Sequence, residues 1–188
     1  SLTEGTGSLL ISSAGIAGNI SARVALDVPG VTFNGTLGLS INTTATIVSD
    51  QIVVGGQTIQ IDLPAGPYVR IEGKDVRLSI LGQTLQGSFA FEYATVDGAT
   101  VVRIAASEVS LAFGDGNTNF VSVSEGQGSF LIKNGGLAGQ LSAVVVIDIP
   151  GVSASGSFSP AINTTGEAVT DSITAGHQTL SLDLPGGN

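Results

Sequence analysis

The chain has 188 residues, with 15 acidic and 6 basic side chains and a formal charge of −9. It holds one His and no Cys, Met or Trp, which excludes disulfide frameworks, thiolate zinc sites, cysteine nucleophiles and most histidine chemistry. Hydrophobic residues reach 42% and charged ones only 11%, so the chain can bury a core, and its basic residues are too few to neutralise a run of phosphates, as nucleic-acid binding requires.

The chain opens on polar, acidic Ser1-Leu2-Thr3-Glu4, with no signal peptide to read, as expected of a mature chain or a fragment. "GTGSLL" follows, and its later counterpart is "GQGSFL". Both precede strands, whereas a phosphate cradle needs a helix N-terminus, so nucleotide binding is not expected. Alternation then predicts strands over Ile16 to Val28 and Val31 to Ile41, well beyond the common length of about 5–6 residues. In the second, Val31, Phe33, Leu37, Leu39 and Ile41 point one way, and Thr32, Asn34, Thr36, Gly38 and Ser40 the other.

Ile59, Ile61 and Leu63 continue the pattern, followed by "VRIEGKDVRL" from Val69, the run Leu85, Phe89, Phe91, Tyr93, and the run Val109, Leu111, Phe113. Turn chemistry separates these runs at Pro29-Gly30, Gly55-Gly56, Pro64 to Pro67, Asp97-Gly98, Asp115-Gly116, Gly135-Gly136 and Pro150-Gly151. Strands joined by such short turns must be antiparallel. No stretch has the spacing of an amphipathic helix. The longest apolar run, Ala143 to Ile147, falls far short of the ~20 residues of a spanning helix. Alternating segments also describe outer-membrane barrels, but two Tyr and no Trp cannot supply their aromatic girdles.

An internal repeat organises the chain. A shift of 121 positions aligns "AGNISARVALDVPGV" at Ala17 with "AGQLSAVVVIDIPGV" at Ala138, "INTT" at Ile41 with "INTT" at Ile162, and "GGQTIQIDLP" at Gly55 with "GHQTLSLDLP" at Gly176. A weaker echo pairs "VRIEGKDVRL" with "VRIAASEVSL" at Val102, with Asp75 and Glu108 in one slot. The chain therefore reads as repeat A (1–66), a segment B completing the unit (67–121) and repeat A′ (122–188). The expected fold is all-β: an antiparallel meander of long strands forming an elongated sandwich or solenoid-like rod from 121-residue repeats. The blocks are expected to zip together through their apolar pleated surfaces, while the face of small side chains lets another sheet or another chain approach closely.

Few residues offer chemistry. Asp115, Asn117 and Asn119 place oxygens at alternate positions, as a calcium loop does. The EF-hand Gly and Glu are absent at their places, and an Asx-rich turn accounts for the same residues. Asp27, Asp50 and Asp62 recur as Asp148, Asp171 and Asp183. Glycoside hydrolysis also needs a groove with aromatic platforms, and turn capping is the simpler role. His177 stands where the first copy has Gly56, and no serine has a His partner, so no enzyme is expected. Asn19, Asn34, Asn42 and Asn163 lie in glycosylation sequons, but "INTT" reads more simply as a turn.

On its repeat unit, "GSLLISSAGIAGNISARVALDVPGVTFNGTLGLSINTT" and then "DLPAGPYVRIEG", the chain resembles the tandem β-rich repeats of very large secreted or surface-attached, adhesin-like bacterial proteins. The resemblance implies an extracellular or cell-surface location and a structural, self-associating role in a fibre or stalk, whose partners are neighbouring copies of the same repeat. It also implies that calcium, if bound, sits at the Asp115 loop. Two alternatives are an adhesive module holding a glycan or protein in loops such as Asp97-Gly98 and Asp115 to Asn119, and a protein that carries lipid along the apolar face of a curved sheet.

Overall fold

A computed structural model describes residues 1–115 and 118–187. The first block contains β1 (Leu2–Ser12), β2 (Gly15–Val28), β3 (Val31–Asn42), β4 (Val48–Val54) and β5 (Gln57–Leu63). The middle holds β6 (Tyr68–Ile80), β7 (Gln83–Val96) and β8 (Ala99–Gly114). The last block holds β9 (Asn119–Lys133), β10 (Gly136–Ile149), β11 (Val152–Phe158), β12 (Ala161–Asn163), β13 (Val169–Ala175) and β14 (Gln178–Leu184). Among the described residues there is no helix, and so none able to cross a membrane.

One antiparallel sheet runs β1-β2-β3-β6-β7-β8-β9-β10-β11, with β12 also paired to β10. It is open, with β1 and β11 at its edges. The expected all-β meander of long strands is what is observed, and β2 and β3 reach 14 and 12 residues. The turn placed at Gly135-Gly136 falls one residue earlier, on Asn134 and Gly135, and Gly136 already begins β10. Asn134 takes the left-handed conformation there, φ 52°, which asparagine tolerates better than most residues.

Two hairpins, β4–β5 and β13–β14, stay out of this sheet. The reason is local. Asn42 ends β3, and its Oδ1 accepts from the Thr44 N–H (2.9 Å) and hydroxyl (2.8 Å) while its Nδ2 donates to the carbonyls of Thr46 (2.9 Å) and Pro64 (2.6 Å). This side-chain turn diverts the chain out of the sheet and ties down the far end of the hairpin. Asn163 repeats all four bonds, with Thr165, Glu167 and Pro185. The "INTT" motif is thus a turn, 121 residues apart in sequence.

Both hairpins pack on the same face of the sheet. The first covers Ala17, Leu10, Tyr68 and Ala94 with Val48, Ile52, Ile61 and Leu63. The second covers Ala90, Val101, Ala105, Leu131 and Ala138 with Val169, Ile173, Ala175 and Leu182. The sheet contributes mostly alanine here, and Ser88 and Ser107 are buried beside it. Small side chains let the hairpin backbones approach closely, as expected for that face. At the Gly176 turn a Cβ would strike the Ser88 side chain.

The blocks meet in two ways: through apolar contacts, with the repeat A hairpin on Tyr68 and Ala94 and the repeat A′ hairpin on Ala90, Val101 and Ala105, and through backbone pairing. Repeat A joins the middle segment through the β3–β6 ladder, and the middle segment joins repeat A′ through β8–β9. Backbone hydrogen bonding joins the blocks within the sheet, beside the apolar contacts of the hairpins. The sheet passes through 1–66, 67–121 and 122–188 without a break, and the last boundary lies inside β9.

Candidate functional site: an uncovered apolar groove

Antiparallel register lines up the larger hydrophobic side chains in rows on the face away from the hairpins. One row runs Ile20, Leu39, Ile71, Phe91, Ile104, Phe130 and Gly139 across β2 to β10. A parallel row runs Leu9, Gly18, Ile41, Val69, Tyr93, Val102, Ile132 and Leu137 across eight strands. At the usual ladder spacing of about 4.8 Å, eight strands span roughly 34 Å. Ile71 is 52% exposed, Ile20 59%, and Leu39, Phe91 and Ile104 each 40%. The Phe130 ring occupies the space that a Cβ on Gly139 would need.

The face is concave. A groove of about 620 Å³ is lined almost entirely by carbon from Phe33, Leu37, Ile71, Phe89, Phe91, Ile104, Phe130 and Leu141. A second, of about 530 Å³, continues it over Leu2, Leu9, Ile20, Leu39 and Ile41. A line of β-bulges crosses the sheet, marked by register breaks at Thr3/Thr6, Gly73/Val76, Ala106/Val109 and Ser142/Val144. Glu4, Asp75, Glu108 and Glu125 sit at these breaks with φ of 53°, 51°, 55° and 52°. Bulges sharpen local twist and bend a sheet. The shared slot of Asp75 and Glu108, and the aligned pair Glu4 and Glu125, are therefore places where the strand must bend.

The hairpin face carries a network of charges that sequence reading missed. Arg70, Glu92 and Arg103 are direct cross-strand neighbours. Glu92 accepts from Arg70 (3.2 Å), Arg103 (2.9 Å) and the Tyr68 hydroxyl (3.2 Å), and Glu72 bonds Arg70 (3.1 Å) and Lys74 (3.0 Å). Arg103 Nε reaches Asp171 on β13 at 2.7 Å, and Arg70 donates to the Thr174 carbonyl. Burial, together with the Glu92 charge, pushes the Tyr68 phenol up to about 12. Burial would raise Glu72, but hydrogen bonds and charge from Lys74 and Arg70 outweigh it and hold its carboxyl below the usual range. Alternation alone puts Arg70, Glu72 and Lys74 on one face of β6, but only the register and the hairpin packing bring Glu92, Arg103 and Asp171 to them.

This network clamps the second hairpin. Arg103→Ala will cost about 2–3 kcal/mol, because it strands Asp171 with little solvent and removes one of the three donors to Glu92. Hydrogen exchange of the β13–β14 amides will quicken first, with β1–β3 unchanged.

The residues singled out for chemistry stay dispersed. Asp115 Oδ1 accepts from the Thr118 N–H at 2.8 Å, an Asx-turn bond, and Asn119 opens β9 opposite Gly114. Asn117 lies outside the described residues. Among those described, no group of three or more His, Asp or Glu side chains is placed to hold a metal ion. His177 Nε2 lies 3.6 Å from Asp75 Oδ2, both about 70% exposed, a pair of little energetic consequence. Asp171 is bound to Arg103, while Asp62 and Asp183 face solvent. Asn19 bridges Ser8 and the Gln60 carbonyl, and Asn34 accepts from Arg23.

Neither the protein-family models, nor the curated proteins, nor the solved structures contain a significant match to this chain.

Proposed function

We infer that the protein is a β-sheet scaffold that carries the acyl chains of a lipid along its apolar groove. The observation that supports this most directly is the row Leu39, Ile71, Phe91, Ile104 and Phe130, open to solvent in a concave, carbon-lined groove of about 620 Å³. Ligand sites of about 300–1,000 Å³ usually add a few polar groups that orient the ligand. A groove almost without them suits a flexible hydrocarbon chain that needs no fixed register. A contiguous apolar patch of this extent also marks a binding surface. Extraction of the purified protein into organic solvent, followed by mass spectrometry, should recover lipid, and cis-parinaric acid should bind saturably. Finding neither would overturn the reading.

A second reading, the structural self-associating repeat of an extracellular bacterial fibre, is favoured by the unpaired edges of β1 and β11. Electron microscopy separates the two: filaments support the fibre, and lipid-loaded single particles support the carrier. Under either reading the chain is a scaffold and not an enzyme.

A further inference from the structure

We propose that the free edge of β11 is a docking site for one antiparallel strand of the β6 kind: a Tyr at its start, then branched aliphatics alternating with charges. The proposal goes beyond the groove and does not depend on it. It rests on the contrast between two edges 121 residues apart. β3 and β11–β12 share Val31/Val152, Gly35/Gly156, Ile41/Ile162 and Asn42/Asn163. They also share the register to the strand before, Ala25↔Asn34 matching Val146↔Ser155. β3 is covered on its far side by β6, whereas β11 has no partner there among the described residues and is exposed along its whole length.

The core beside that edge is also less covered than its counterpart in the first block. In the first block Tyr68, at the start of β6, closes over the hairpin, so that Leu63 is 4% and Asn42 0% exposed. Their counterparts Leu184 and Asn163 make the same contacts and bonds but remain partly exposed. What differs is the lid.

The backbone polarity of β11 suits an incoming strand. The Leu141 N–H bonds the Pro160 carbonyl, and the Thr164 N–H bonds the Leu137 carbonyl, so even-numbered residues here face β10. Odd-numbered Ser153, Ser155 and Ser157 therefore turn their N–H and C=O groups to the free edge. Pro160, which would guard an edge if its missing N–H faced outward, spends that loss on the β10 side. No charged residue interrupts Val152 to Asn163. Main-chain pairing supplies the affinity of strand addition, and side-chain fit supplies its selectivity.

The test uses the full chain and a fluorescent synthetic peptide of Tyr68–Ile80, read by anisotropy. Saturable binding is expected, with new hydrogen-exchange protection at the Ser153, Ser155 and Ser157 amides. Ser155→Pro removes an outward N–H and should weaken binding at least about tenfold, as should Tyr68→Ala in the peptide. The β2–β3 exchange pattern checks that the variant remains folded, and Ser157→Pro is a second edge variant. Equal binding of a scrambled peptide, protection at β1 instead of β11, or no saturable signal would each overturn the proposal. Parinaric acid binding is expected to be unchanged in Ser155→Pro, which keeps this result separate from the fate of the lipid reading.

Discussion

Replacing Asn42 with alanine will unfold the first hairpin from the sheet and lower stability by about 3–4 kcal/mol. The side chain is fully buried and makes four hydrogen bonds, two accepted from Thr44 and two donated to Thr46 and Pro64. Alanine keeps none of them. It leaves the buried Thr44 N–H and the Pro64 carbonyl without a side-chain partner, and each such loss costs about 1 kcal/mol or more. Denaturant unfolding gives the total, and exchange at the β4–β5 amides locates it. Asn163→Ala makes an internal comparison. It removes the same four bonds from a partly exposed site, where water can replace them, so about half the loss is expected. Equal losses at both positions would mean that burial does not set the cost.

On the carrier reading proposed above, Phe91→Asp will abolish acyl-chain binding while leaving the protein folded. Phe91 sits mid-row between Ile71 and Ile104 and is 40% exposed on the groove wall. Folding alone buries only part of its ring, so the change should cost no more than about 1–2 kcal/mol, mostly lost packing and strand propensity. A bound chain would press hydrocarbon onto an ionised carboxylate, at a cost of several kcal/mol. That corresponds to at least about a hundredfold loss of parinaric acid affinity. Phe91→Leu keeps the groove apolar and should stay within a few-fold of the parent. Undiminished binding by Phe91→Asp would place the cargo elsewhere.

Much of the fold was readable because strands declare themselves locally. Alternation at Val31 to Ile41 and at Leu85 to Tyr93, bounded by Pro-Gly and Asp-Gly pairs, requires only near neighbours, and β3 and β7 lie where it predicts. Pairing was less legible. Nothing in the alternation of Ile59, Ile61 and Leu63 separates β5 from a sheet strand, yet it leaves the sheet because Asn42 turns the chain outward and binds Pro64. The ion network was hidden for the same reason: Arg70, Glu92 and Arg103 become neighbours only through the β6–β7–β8 register.

The sequence by itself determined that the chain is strand from end to end, that each long strand has one small and one greasy face, and that a unit recurs after 121 residues. Only the tertiary structure decided which face is covered. Both hairpins settle on the alanine and serine side, where their backbones can come close, and leave Ile71, Phe91 and Ile104 bare. Alternation specifies that two faces differ, but the group that covers a face comes from residues distant in the chain. Burial is a property of that long-range packing and not of the strand.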